Sequence, residues 1–193
     1  MTAEVSTFHP LGPTTVEDWL AAEQPSDGSR LELILGYLYM TPPPTGSHQY
    51  ATGELFVALR GAVRAAGRSD LQVLPGVGVR ISTAFRTAVI PDVVAVVAAE
   101  AHRKCFESHE LVLAVEVWSS GNTREERDTK IAGYAAARVP FLWIVELPDG
   151  KPATFCGYRL GESGYRQEIY AAAGETVSAP SPVPVEVATA ELR

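Results

Sequence analysis

Most strands in small domains alternate apolar and polar residues, but three stretches of this chain are apolar at nearly every position. Residues 89–97 (VIPDVVAVV), 111–118 (LVLAVEVW) and 140–147 (PFLWIVEL) read as strands buried on both faces. The helical period is clearest over residues 48–66, where Ala51, Leu55, Ala58, Leu59, Ala62, Val63 and Ala66 recur on one face and Gly67 is placed to end the helix. A second helix is predicted over 123–137, with Ile131, Tyr134 and Ala135 as its apolar stripe and Thr123 with Glu126 as a capping box. TTVEDWLAAEQ predicts a short helix capped by Thr14 or Thr15. RLELI and YLYM then flank Leu35-Gly36 as a hairpin, although Leu is a poor residue for a tight turn. LQVLPGVGVRIS reads as one or two strands broken near Pro75-Gly76, and ATFCGYRL with YRQEIYAA reads as a late hairpin. The Pro-rich tail SAPSPVPVEV fits either a linker or a clamped edge segment. The pattern is α/β or α+β: a mixed sheet flanked by helices, preceded by an N-terminal helix and hairpin. No composition shift marks a second domain, so residues 1–193 are expected to form one domain, with 1–13 expected to be disordered.

Composition narrows the function classes. A formal charge of −7 argues against coating nucleic acid by charge alone and does not favour an anionic membrane surface. Cys105 and Cys156 form no CxxC pair, which fits a reduced, cytoplasmic compartment. The N-terminal residues lack the pattern of a signal peptide, and no apolar run reaches the ~18 residues needed to span a bilayer.

The two strongest strand patterns each contain an acid where apolar residues are expected. Asp92 follows Pro91 in the first, and Glu116 lies inside the second. A buried carboxylate normally has a partner or a metal. Either acid alone is accounted for by an Arg partner or by a strand end in water. The two together, on neighbouring strand patterns, favour a site, because adjacent carboxylates repel unless a cation lies between them. Mg²⁺ suits such a pair, since it takes one or two carboxylates and completes its shell with water and phosphate. Of the three lysines, 104, 130 and 151, only Lys130 lies on the helix that follows the Glu116 strand. It reads either as a charge beside the acids or as an i, i+4 surface partner of Glu126. Glu32, between Leu31 and Leu33, reads either as a further ligand or as an exposed residue on an alternating strand.

The ordered set of a Pro-Asp, a later strand Glu and a Lys resembles the PD-(D/E)XK nuclease superfamily. More narrowly, LELILGYLYM with PPPTGSHQ, PDVVAVV, LVLAVEVWSSGNTREERDTKIAGYAAARVPFLWIVE and GETVSAPSPVPVEV are similar to the Uma2 (DUF820) family, from about residue 14 to the end. The resemblance implies a restriction-endonuclease-like core, Mg²⁺ or Mn²⁺ held by Asp92 and Glu116 with Glu32, and cleavage of DNA with Lys130 assisting. An E-x-K motif would place Lys at 118, where this chain has Trp118. The resemblance moves that role to Lys130, on the following helix. His48 matches a family histidine at the start of the long helix and is a candidate nucleic-acid contact, with a helix-end or loop contact as the alternative.

Nucleic acid has further candidate contacts in Arg60 and Arg64, which recur with Arg68 every four residues on the long helix, and in Trp118, which has a face to stack on a base. A solvated helix face and core packing are the respective alternatives. His102 and Cys105 have ligand spacing but lack the further pair a zinc site needs. GVG at 76–78 is followed by a strand pattern and not a helix, which excludes a dinucleotide fingerprint. The sequence thus points to a Mg²⁺-dependent DNA endonuclease, with a homodimer suggested by the two cuts of a duplex. Its rival is a non-catalytic nucleic-acid-binding or interaction module that keeps the fold.

Overall fold

The computed structural model describes residues 14–97 and 103–192. The segment 1–13, expected to be disordered, and His102 lie outside the described residues. Helix α1 (Val16–Ala21) starts at Thr15, whose side chain accepts the Asp18 N–H while the Asp18 carboxylate accepts the Thr15 N–H. Strands β1 (Arg30–Ile34) and β2 (Tyr37–Thr41) form the expected hairpin, and α2 (Gly46–Ala65) follows, capped by Thr45. Next come β3 (Leu71–Pro75), β4 (Gly78–Ser82), β5 (Thr87–Val89), β6 (Val93–Val97), the short β7 (Cys105–Glu107) and β8 (Leu111–Ser119). Helix α3 (Arg124–Ala136) then leads into β9 (Phe141–Leu147), β10 (Thr154–Gly161) and β11 (Gly164–Ala171). The Pro-rich tail is a clamped segment: β12 (Thr176–Ala179) pairs with β13 (Val185–Ala188), and the buried Val185 and Val187 join the core under α2.

The sheet expected from the sequence is divided in two. A six-stranded mixed sheet runs β11-β10-β9-β8-β6-β3, with β8 and β9 parallel. A five-stranded sheet runs β2-β1-β5-β4-β7. The apolar run 89–97 supplies a strand to each. The chain leaves one sheet after Val89 and enters the other at Val93, and Pro91, which has no N–H for a ladder, lies in the break. Asp92 bridges the break: its N–H donates to Val115 O and its carbonyl accepts the Gly76 N–H. Helix α2 packs on one face of the central strands through Ala51, Leu55, Leu59 and Val63. Helix α3 lies over the other face.

The GVG stretch serves backbone geometry. Gly76 has φ +56°, and a Cβ on Gly78 would lie 2.9 Å from the Trp19 ring. Trp19 in turn donates its indole N–H to Leu31 O at 2.7 Å and so anchors α1 on β1.

Leu35 and Gly36 have φ of 51° and 84°, so both central residues of the hairpin turn are left-handed. That conformation costs a non-Gly residue about 1–2 kcal/mol, and Leu35 recovers little by packing because it is 57% exposed. Leu35→Asn, which restores the favoured Asn-Gly turn, is expected to stabilise the protein by about 1 kcal/mol. That raises Tm by roughly 2–4 °C in a thermal melt; an unchanged or lower Tm would show that the side chain's contacts outweigh the strain.

Candidate active site

Strand parity decides where the acids point. Leu113, Val115 and Val117 of β8 enter the core beneath α2, whereas Ala114 and Trp118 pack on the α3 side. Glu116 alternates with the second set and therefore faces α3. The same argument puts Asp92 on the side of Val94 and Val96, and Glu32 on the side of Ile34. Glu32, Asp92 and Glu116 are only 2%, 2% and 3% exposed. Three acids from distant parts of the chain are thus enclosed together.

Helix α3 brings the countercharge. Lys130 Nζ lies 3.0 Å from Glu32 Oε2 and 3.4 Å from Glu116 Oε2. One turn further on, the Tyr134 hydroxyl donates to Glu116 Oε1 at 2.5 Å. Glu32 Oε1 accepts the Ile90 N–H at 2.6 Å. Lys130 is therefore buried against the acids, and the surface-pair reading with Glu126 is set aside. Glu32 is buried as well, which removes the exposed-strand reading. Its Oε2 makes no hydrogen bond and meets only the ammonium charge.

Asp92 is held on both oxygens. Oδ2 accepts the Val117 N–H at 2.7 Å. Oδ1 accepts Arg30 Nη1 at 2.6 Å and lies 3.3 Å from His48 Nε2. The Arg partner that the sequence left open is thus real for Asp92. Arg30 reaches it from β1, two residues before Glu32 and on the same side of the strand.

These contacts set the protonation states. Burial raises the Asp92 carboxyl, but the His48 hydrogen bond, the charges of His48 and Arg30, and the Val117 N–H outweigh it and hold it below its ordinary value. Burial pushes the Glu116 carboxyl up to about 7; Lys130 pulls it down, while Asp92 and Glu32 push it up again. Lys130 is held above its ordinary value because Glu116 and Glu32 outweigh the effect of its burial. Burial and the neighbouring Glu116 raise the Tyr134 hydroxyl well above its ordinary value, so it stays a donor.

A folded-state value above the unfolded one means that Glu116 contributes stability that is complete below about pH 4.5 and is lost as pH rises through about 7. The ion-free protein is expected to lose stability between pH 4.5 and 7, and Glu116→Gln to flatten that slope in urea titrations across this range. An equally steep slope in the variant would place the linked proton elsewhere.

The cluster suits a divalent cation in one respect and not in another. Three acids face two permanent cations, and the charges of Asp92 and Glu32 add to burial, the larger cause, in raising Glu116. A doubly charged ion between Asp92 and Glu116 would offset those charges. The three-acid ligand set expected with Glu32 is not assembled, because Glu32 is committed to Ile90 and Lys130. Among the described residues no three His, Cys, Asp or Glu side chains form a group able to hold a metal. The donor set therefore fits an ion such as Mg²⁺ that two carboxylates share with water and phosphate.

The candidate nucleic-acid residues fall in different places. His48, in the first turn of α2, is in the cluster. Arg60 and Arg64 are exposed on the same helix, about 18 Å or more further along its axis. Arg68 pairs with Asp70. Trp118 is 4% exposed and packed in the core under Arg127, whose guanidinium lies 5.1 Å from the ring centroid. It presents no face to a base here, so the packing alternative describes it.

Sequence reasoning missed Arg30 and the role of Tyr134. The signal for Tyr134 was available: at i+4 from Lys130 it shares a helix face with it. An apolar concavity of about 820 Å³ lies apart from the acids, between Leu35, Phe85 and the outer side of α3. A small crevice that shares Ile81, Thr87, Thr129 and Gly133 with it is also lined by Lys130 and Tyr134.

Comparison with known proteins agrees with the fold. The Uma2 family model, described as "Putative restriction endonuclease", matches residues 16–191. No curated protein matches the sequence. Among solved structures, the chain is similar to "a putative nuclease belonging to DUF820" from Anabaena variabilis ATCC 29413. The two share 16% identity with a TM-score of 0.69, over 93% of this chain and 97% of the other.

Proposed function

This chain belongs to the restriction-endonuclease-like Uma2 family, and from that premise we propose that it is a divalent-metal-dependent endonuclease that hydrolyses DNA phosphodiester bonds. The observation that carries the reading is the convergence of Asp92 and Glu116 on one buried cluster with Lys130 between Glu32 and Glu116. Asp92 and Glu116 are the residues that would hold Mg²⁺ or Mn²⁺. A bound ion would supply Lewis-acid polarisation of the phosphate and an acidified water.

The chain's own residues do the rest. The Val117 N–H fixes one Asp92 oxygen, and the Tyr134 hydroxyl fixes one Glu116 oxygen, so both carboxylates are aimed before any ligand arrives. Glu32 is the positioning residue for Lys130. The ammonium, locked between two acids, offers fixed positive charge to the negative charge that builds on the phosphate as water attacks and the ester oxygen leaves. Cutting both strands of a duplex would call for two copies of the site, hence a homodimer.

The rival reading, a non-catalytic module on the same fold, draws on the cationic contacts that occupy Asp92 Oδ1. Incubating the protein with supercoiled plasmid in Mg²⁺ or Mn²⁺ separates them. Nicked or linear product that EDTA suppresses supports the endonuclease. A pure preparation that converts no plasmid, linear duplex or single strand under either ion supports the module.

Among the described residues no helix is long and apolar enough to cross a membrane.

A further inference from the structure

Asp92 presents a contradiction that its neighbours resolve. A carboxylate that is to ligate an ion needs a free oxygen, yet Oδ2 is taken by the Val117 N–H and Oδ1 by Arg30, with His48 at 3.3 Å. Of the two cations in the cluster, only one is placed to let go. Lys130 has a side chain 6% exposed and two acid partners. The Arg30 side chain is 24% exposed, and among the described residues it engages the protein through Nη1 alone, to Asp92 and, at 3.3 Å, to Ile90 O. Guanidinium is a planar fork of five donors that matches two phosphate oxygens as well as it matches a carboxylate.

Resting on the nuclease reading above, we infer that Arg30 is the phosphate-binding residue of this site and that Asp92 holds it in place until substrate arrives. In the ligand-free protein the Arg30 charge neutralises Asp92. When the ion binds, its charge takes over that role, and the guanidinium transfers its hydrogen bonds to the phosphate that enters with it. No covalent bond changes; one ion pair is exchanged for two. His48 flanks the same oxygen and follows the same exchange on a smaller scale, as its longer contact indicates. The exchange links the two ligands. Metal binding frees Arg30 for phosphate, and phosphate draws Arg30 away from Asp92, so each raises the other's affinity.

The exchange predicts opposite effects of one substitution on two ligands, which a merely structural role would not produce. In Arg30→Gln the shorter side chain keeps a polar amide, but the charge that competes for Asp92 is gone. Mn²⁺ titrated calorimetrically without DNA is expected to bind the variant at least as tightly as the wild type. A fluorescent 20-base-pair duplex, followed by anisotropy in Ca²⁺, is expected to bind about tenfold more weakly, and the slope of log K against log salt to flatten by about one. Arg30→Lys, which keeps the charge and loses the fork, should restore the salt slope but only part of the affinity. It also guards against a folding defect in the glutamine variant.

Unchanged duplex affinity and slope in Arg30→Gln, with wild-type protein that binds both ligands, would overturn the inference and leave the nuclease reading standing. So would parallel loss of Mn²⁺ and duplex. Wild-type protein that binds neither ligand would remove the nuclease reading and this inference with it.

Discussion

Asp92→Asn is expected to lower plasmid cleavage on the order of 10²–10³-fold or more while leaving the protein folded. The substitution keeps the shape of the side chain and an oxygen for the Val117 N–H at 2.7 Å. It removes the negative charge that faces Arg30 and that would bind an ion. Stability should fall less than for a fully buried pair. Removing one partner of such a pair costs about 3–5 kcal/mol, but the Arg30 side chain is 24% exposed and water can solvate it. A loss of about 1–2 kcal/mol is the expectation. Asp92→Ala is the poorer test, because it also strands the buried Val117 N–H at a further cost of about 1–3 kcal/mol. Three measurements check the prediction together: the nicking rate, the heat of Mn²⁺ binding and the far-ultraviolet circular dichroism spectrum. Loss of both rate and heat with an unchanged spectrum is the expected result. A variant that still cuts at the wild-type rate would remove Asp92 from the chemistry, and the cluster around it would be a structural ion-pair network only.

The same residue shows how far the sequence reading reached. An acid in a continuous apolar run signals a buried charge whatever its partner, so Asp92 and Glu116 stood out without any structure. Lys130 stood out by elimination among three lysines. The identity of each partner did not. Arg30 lies 62 residues from Asp92, and nothing local to β1 marks that arginine from the others. Periodicity could not reveal that 89–97 divides between two sheets, because both halves are equally apolar. Pro91 was the available clue, since it has no N–H to continue a ladder. Strand β7, three residues long, is too short to show a period. Trp118 was misleading for a related reason. Its place two residues from the acid suggested a place in the site, and alternation does put it on the same side of β8 as Glu116, but there it is packed in the core beneath Arg127. In the tail, composition allowed two structures, and only the pairing of Val185 and Val187 against α2 decides between them.

The largest effect on stability is expected from Lys130→Met. The wild-type ammonium lies within 3.0 Å of Glu32 and 3.4 Å of Glu116, with side-chain exposures of 6%, 2% and 3%. Methionine fills a similar volume without the charge and leaves two buried acids uncompensated. Breaking a buried pair from one side costs about 3–5 kcal/mol, a large share of the roughly 5–15 kcal/mol that holds a domain together. The loss should depend on pH, and its sign distinguishes lost charge from lost packing. Glu116 is already pushed up to about 7, and Lys130 is the strongest influence holding it down. Without that charge its folded-state value rises further above the unfolded one. A raised carboxyl contributes stability that is complete below its unfolded value and drains away as pH rises through its folded value. The variant should therefore approach wild-type stability near pH 5 and fall furthest behind near pH 8, with a steeper slope than the wild type over that range. Adding Glu116→Gln to Lys130→Met should return part of the stability at pH 8, because the carboxylate that lost its partner is then neutral. Urea titrations of the four proteins at pH 5 and pH 8 measure all of this. A deficit of equal size at both pH values would mean that Lys130 stabilises the fold through its packed methylenes, and that its charge does not hold the two acids together.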